Sequence, residues 1–260
     1  MVTAPCPASD TPVIPGLRGA TSTFVKGSTC CITQTSGDIL QGELRGLFVQ
    51  DACVLSRWSR TIGGRPAEPL AVQRADPYAA AFTGCPPPPY GVRSDAAVPT
   101  VRHRDIGDGV CEDMSIRDTA PVPATLAAMP PADADFADLF EVTAGGAQLA
   151  AAACVAATDS VLTFTAWRGE RGHGLPTRAD GNPEAARRAS SWGAPVPPRG
   201  RWLIAVEAVP VRDGSPMTLR HPCGQIAEHA RAASGVPRGD GGPGRAANTP
   251  PGYGQPWGGP

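Results

Sequence analysis

The chain has 260 residues, enough to bury a real core as one large domain or two small ones. Its formal net charge is −1, with 23 Lys plus Arg against 24 Asp plus Glu, which excludes a global pull toward nucleic acid or an acidic membrane surface. Glycine (31) and proline (30) make up almost a quarter of the residues, which argues against long helices.

Residues 1–20 are rich in Pro, Ser, Thr and Gly and read as a flexible leader. They lack a basic start followed by an apolar run, so no secretory signal is expected. No eighteen consecutive apolar residues occur, so no membrane span is expected, and the chain is assigned to the cytoplasm. From Thr21 the pattern becomes short β-branched runs separated by turns. "STFVKG" ends at Gly27, and "STCCITQTSGDI" carries a Ser-Gly-Asp turn. "ACVLSRWSRTIGGRPAEPLAV" has two strand-like arms around Gly63-Gly64, and "TVRHRDIGDGVCEDMSIRD" repeats the design around Asp108-Gly109. "VPATLAAM", "VLTFTAW" and "RWLIAVEAVPV" follow, the last introduced by "PPRG" and ended by "RDG" at 212–214. Only "AQLAAAACVAA", 147–157, has a helical composition, and its β-rich neighbours leave helix and strand both open. Strands this closely spaced predict a mostly β fold, an antiparallel β-sandwich over 21–214. Residues 215–260 lose the pattern; 221–260 alone hold ten Gly and seven Pro, so a disordered tail is expected there.

The stretch "DADFADLFEV" concentrates Asp133, Asp135, Asp138 and Glu141. A calcium loop of the EF-hand kind needs an oxygen ligand at its fifth position and glycine at its sixth, where this chain has Ala137 and Asp138. A glycosidase pair needs two carboxyl groups facing one sugar, and usually distant segments supply them. Phe136, Leu139 and Phe140 stand at i, i+3 and i+4, so the favoured reading is a surface helical turn anchored by aromatics, with the acids on its wet side. Eight cysteines, at 6, 30, 31, 53, 85, 111, 154 and 223, show no two-residue metal or redox spacing and are expected to be mostly reduced, partly buried thiols used as small apolar residues. Adjacent Cys30 and Cys31 should point to opposite faces of a strand. Of His103, His173, His221 and His229, only His221 lies near a cysteine, Cys223, and that pair falls in the expected tail. No Gly-x-Ser-x-Gly frame occurs, and "GDGGPGR" lacks the Gly-Lys-Ser/Thr ending of a phosphate loop. Among the tryptophans, Trp58 and Trp202 sit in strand-like runs and read as core, while Trp167 and Trp192 are better placed for exposure. Trp257 lies in the tail.

Several stretches, in order, resemble the amino-terminal domain of bacterial glycogen debranching enzymes of the amylo-α-1,6-glucosidase type. They are Gly37-Asp38, Gly46-Leu47-Phe48, Asp51, Leu55-Ser56-Arg57, the acidic stretch itself and "PPRGRW", spanning roughly 22–214. Two departures stand out. Ala52 and Cys53 replace the threonine and arginine usual after the aspartate, and Pro130-Pro131 allow the following segment to be only an edge or a strand end. The resemblance implies a supersandwich-like accessory domain that packs on an α/α-barrel, the barrel carrying the carboxylates that hydrolyse α-1,6 branches. No catalytic, cofactor or metal residues are then expected in this chain. A truncated or out-of-frame reading would account for the tail from 215 onward and for the missing barrel. Two further readings are a free-standing α-glucan-binding module using exposed aromatics, and an enzyme using Asp133, Asp135, Asp138 or Glu141.

Overall fold

A computed structural model of the chain describes residues 21–41, 45–87, 98–119, 124–129, 132–140, 154–158, 161–168, 171–180, 184–186, 189–196 and 198–226. The leader (1–20), Glu141, His229, Trp257 and the tail from 227 lie outside the described residues.

Short β-branched runs become strands, as expected. β1 (Thr21–Lys26), β2 (Thr29–Gln34), β3 (Gly46–Val49) and β4 (Ala52–Leu55) form a four-stranded antiparallel sheet in chain order. A ten-stranded sheet is built from β8 (Glu68–Asp76), β9 (Ala79–Cys85), β10 (Thr100–Ile106), β11 (Val110–Arg117), β14 (Cys154–Thr158), β15 (Val161–Arg168), β16 (Arg171–Ala179) and β19 (Arg201–Ala208). Its order is β14-β15-β16-β19-β11-β10-β9-β8, with β20 (Val211–Arg212) and β21 (Ser215–Pro216) attached beside β16. β6 (Thr61–Ile62), β7 (Arg65–Pro66), β12 (Ala124–Met129), β17 (Glu184–Ala186) and β18 (Ala189–Val196) make a smaller sheet. β5 (Arg57–Trp58) pairs with β13 (Ala132–Asp133). No helix among the described residues is long and apolar enough to cross a membrane.

One buried apolar cluster joins the four-stranded sheet to the long one, as alternating strands with one apolar face require. Phe24, Cys31, Leu47 and Leu55 meet Phe82, Ile106, Met114, Phe164, Leu175 and Val206 there. Phe24 packs edge-on against Phe82, ring centres 5.8 Å apart. Trp58 is a junction: its backbone exchanges hydrogen bonds with Ile39 and its strand pairs with β13.

The Gly63-Gly64 arms close as a two-residue hairpin between β6 and β7, both glycines at positive φ (57° and 74°). Asp108-Gly109 lies in the connection between β10 and β11, where Ile106 faces Val110. Pro130-Pro131 are followed by a strand of only two residues, in keeping with the limit that prolines set. The alanine-rich stretch is strand where it is described, Cys154–Ala157 lying in β14.

Two expectations need correction. "RWLIAVEAVPV" is not one strand: β19 ends at Ala208, and β20 resumes beyond Pro210 to pair with β16 instead of β11. Proline has no N–H to continue the first ladder. Residues 215–226, placed in the loose tail, are packed along the ends of β10 and β11. Met217 N–H donates to Pro210 O (2.8 Å), Arg220 pairs with Asp105 (2.6 Å) and covers the Tyr78 ring (3.7 Å), and Ile226 is buried.

Candidate functional site

Residues 133–138 of the acidic stretch are held in extended form against β4 by their own backbone, and helix begins at Leu139 and Phe140. Ser56 N–H donates to Asp133 O, Phe136 N–H to Cys53 O, Cys53 N–H to Ala137 O and Leu139 N–H to Asp51 O, all at 2.8–2.9 Å. The helical turn expected from the 136/139/140 spacing does not include Phe136, and helix starts only at Leu139. Main-chain pairing with β4 satisfies the backbone groups that a helix would have used internally. Phe136 turns into the core through a positive φ of 51° and packs on the His173 ring, centres 5.8 Å apart. Phe140, expected on the anchored face, is 74 % exposed.

Nor do the acids all lie on a wet side. Asp133 is buried, with Oδ1 accepting the Ala134 N–H. Asp135 Oδ1 accepts the Ala137 N–H at 3.1 Å, and Asp138 Oδ1 accepts the Phe140 N–H at 2.8 Å. Burial raises the Asp135 carboxyl above its usual range, while bonds from the Ala137 amide and the Cys53 thiol pull the other way. These three carboxylates act as local caps on backbone donors.

Three of the segments that carried the resemblance, Gly46-Leu47-Phe48, Asp51 and Leu55-Ser56-Arg57, lie beside this stretch. Asp51 sits in the β3–β4 turn at φ 70° and supplies the carbonyl that receives Leu139. Gly46 lies beneath the Cys53 sulfur, where a Cβ would come within 2.7 Å. Cys53 is buried, and desolvation raises its thiol well above its ordinary value.

The strongest electrostatic feature was not singled out from sequence. Glu112 on β11 is 0 % exposed and is gripped by three arginines. Arg102 Nε donates to Oε1 (2.9 Å), Arg104 donates to Oε2 through Nε (2.9 Å) and Nη2 (2.5 Å), and Arg60 Nη2 lies 3.2 Å from Oε1. Trp58 Nε1–H adds a longer bond of 3.4 Å. Arg102 also reaches Asp38 Oδ1 (2.6 Å), and the Ser36 hydroxyl donates to the other Asp38 oxygen. Asp38 belongs to the Gly-Asp turn, which Gly37 allows: its φ is +83°, and a Cβ there would sit 2.8 Å from the Phe82 ring.

Burial alone would raise Glu112, but the three guanidinium groups override it and hold the carboxyl far below the ordinary range. Burial lowers Arg60 to about 10, with Glu112 opposing. Three arginines against two carboxylates leave the cluster with one excess positive charge, and Arg60 Nε and Arg104 Nη1 have no acceptor. A cavity of about 10 Å³ beside Arg60, Arg102 and Asp38 has room for one water and none for a sugar. The signal was present in "TVRHRDI": Arg102 and Arg104 alternate with His103, so they share a face with Thr100 and Ile106, both buried.

Cys30 and Cys31 diverge as expected, Cys31 fully buried in the main core and Cys30 against a separate cluster with Phe48 and Cys53. Cys30, Cys31, Cys53, Cys85 and Cys154 are free. Cys111 and Cys223 depart from the expected thiols: they form a disulfide between Cα atoms 5.7 Å apart. Their separation of 112 residues hides the pair from any spacing rule, and Cys223 reaches β11 because residues 217–226 are packed. Asp113 joins them, one ligand atom from each residue lying within 4.8 Å of the others, but both sulfurs are consumed by the bond. His221 is not part of that group. Trp58 is buried, Trp202 packs partly buried against the core, and Trp167 is 70 % exposed. Trp192 lies in β18, with its side chain outside the described residues.

Residues 24–207 match the family model described as the N-terminal domain of (some) glycogen debranching enzymes. No curated protein matches the chain. Among solved structures, a putative kojibiose phosphorylase from human microbiome is similar at 7 % identity and a TM-score of 0.38, over 72 % of this chain and 26 % of that one. A heparan sulfate lyase HepC mutant from Pedobacter heparinus is similar at 12 % identity and a TM-score of 0.37, over 73 % of this chain and 35 % of that one. The chain thus spans about a quarter to a third of the length of these two proteins.

Proposed function

We propose that this chain, which belongs to the family of N-terminal domains of glycogen debranching enzymes, is a non-catalytic accessory domain, its catalysis supplied by an α/α-barrel encoded outside these residues. In this reading the barrel is the amylo-α-1,6-glucosidase, cleaving α-1,6-glucosidic branches of a glycogen-like glucan, and the sandwich packs on it. The observation that supports the reading is the use made of the acidic stretch. Asp133, Asp135 and Asp138 cap neighbouring amides, and their backbone is tied to β4. A general acid and its partner would instead face a shared cleft.

Two experiments test this. An immunoblot of source cells with antibodies to residues 22–214 should show a band several times heavier than 26.7 kDa; a band at that mass would establish a free-standing protein instead. The purified chain should release no glucose from branched dextrin, and release that Asp135→Asn abolishes would overturn the non-catalytic assignment. Cytoplasmic placement belongs to the same reading. The Cys111–Cys223 disulfide runs against that placement, since the cytoplasm keeps thiols reduced; trapping thiols with an alkylating agent at lysis should label both cysteines in a cytoplasmic protein, and a fully oxidised pair would place it elsewhere.

A further inference from the structure

Trp167 lies near the end of β15, opposite Gly172 of β16. A Cβ on Gly172 would meet the indole at 3.1–3.5 Å, so the ring lies across the glycine with one face covered. At 70 % exposure the outer face is open to solvent. Leu162, Phe164 and Ala166 point into the core, so alternation puts Val161, Thr163 and Thr165 on the same outer side as Trp167.

On β14 and β16 small side chains continue this surface, and Val211 of β20 borders it, its Cβ 3.4 Å from where a Cβ on Gly174 would stand. Thr165 faces Gly174 and Thr163 faces Pro176 on β16, while Cys154, Ala156 and Thr158 line the outer side of β14. Next along β16 on this side is Arg178, whose charge lies beside Glu207 on β19. The result is a low, neutral strip with one aromatic plate at its end and threonine hydroxyls along it. From Trp167 to Thr163 it runs about 13 Å, at ~3.3 Å per strand residue.

We infer that this strip binds a linear α-glucan chain, one glucose ring stacked on Trp167 and the following sugars running past Thr165 and Thr163. A flat apolar ring suits the C–H face of a sugar, and neutral hydroxyls suit its hydroxyl rim. Among the described residues, β14, β15 and β16 set no charge on this side between Trp167 and Arg178, and a protein partner would meet few protruding side chains on them on which to anchor. The inference rests on the accessory-domain reading only for the identity of the glucan.

The test is native affinity electrophoresis of the full chain in gels with and without glycogen, with maltoheptaose titration calorimetry to measure affinity. The wild type should be retarded and Trp167→Ala should bind about tenfold more weakly or worse, as loss of a central aromatic anchor does. Thr165→Val should weaken binding by a smaller factor. Because Trp167 is exposed, Trp167→Ala should keep the wild-type circular dichroism and melting temperature. An unretarded wild type overturns the inference. So does retardation that Trp167→Ala and Thr165→Val leave unchanged, since the glucan would then sit elsewhere. Neither result touches the accessory-domain reading, which the immunoblot and glucose-release assays decide without reference to Trp167.

Discussion

Replacing Glu112 by glutamine keeps the side-chain volume and removes the charge that three arginines share. In the wild type the cluster of Arg60, Arg102, Arg104, Glu112 and Asp38 carries one excess positive charge, and the substitution doubles it inside a buried region. Breaking a buried pair by removing one partner costs about 3–5 kcal/mol, mostly from the stranded charge. Against a total stability of about 5–15 kcal/mol this is a large fraction, and for a domain of this size it lowers Tm by about 6–20 °C. The assay is thermal and urea unfolding of the purified chain at pH 7. A second variant sharpens it: Glu112→Gln with Arg60→Met returns the excess to one charge, so the pair should lose less than Glu112→Gln alone. The acid side follows from the depressed carboxyl. Its stabilisation is fully present above the unfolded value of about 4.3 and is lost as pH falls toward the much lower folded value. The gap between wild type and Glu112→Gln should therefore begin to narrow below about pH 4 and keep narrowing as the pH falls further. A Tm change under about 2 °C at pH 7, or a double variant worse than the single one, would refute the reasoning.

Asp135→Asn should raise Tm at pH 7, because burial raises the folded carboxyl and the ionised form opposes folding there; the gain should vanish below about pH 3.8, where the acid is protonated in both states. Gly37→Ala should cost roughly 2–4 kcal/mol in urea unfolding, combining a positive φ with a Cβ driven against Phe82; a loss under 1 kcal/mol would mean the turn relaxes. Cys223→Ser should destabilise the oxidised protein by about 2–4 kcal/mol, since the bond closes a 112-residue separation, and limited proteolysis should then cut within 217–226.

Hairpins whose turns need special backbone were readable, because Gly63-Gly64 announces its own conformation. β16 was not, since "RGHGLPTRA" interrupts its pattern with Gly172, Gly174 and Pro176. The proline is tolerated where the far edge of β16 passes from pairing with β20 at Gly174 to pairing with β19 at Thr177. Trp167, exposed here, is legible only as a better candidate than Trp58 and Trp202, from its place beside a loop-rich segment. The acidic stretch misled because one apolar spacing fits both a helical turn and an irregular strand, and the choice is made by β4, eighty residues earlier in the chain. Buried charge was hardest to read. Arginine and glutamate count as surface residues by type, and their partners assemble only in three dimensions.

That assembly sets an order of events. The bonds converging on Glu112 and Arg102 span 8 to 10 residues within the β10–β11 hairpin, but 54 to Trp58 and 64 to Asp38. The hairpin, with Arg102, Arg104 and Glu112 already adjacent, is the cheap early step; the distant contacts come only after long loops have closed. The hairpin then offers its partly neutralised charges as a template on which only the Gly-Asp turn and the Trp58–Arg60 segment fit. Any docking that buries the cluster without bringing Asp38 to Arg102 and Arg60 to Glu112 meets the cost of desolvating unpaired charge. The cluster thus adds an electrostatic penalty to registers that leave it incomplete, on top of the hydrophobic pattern that sets register.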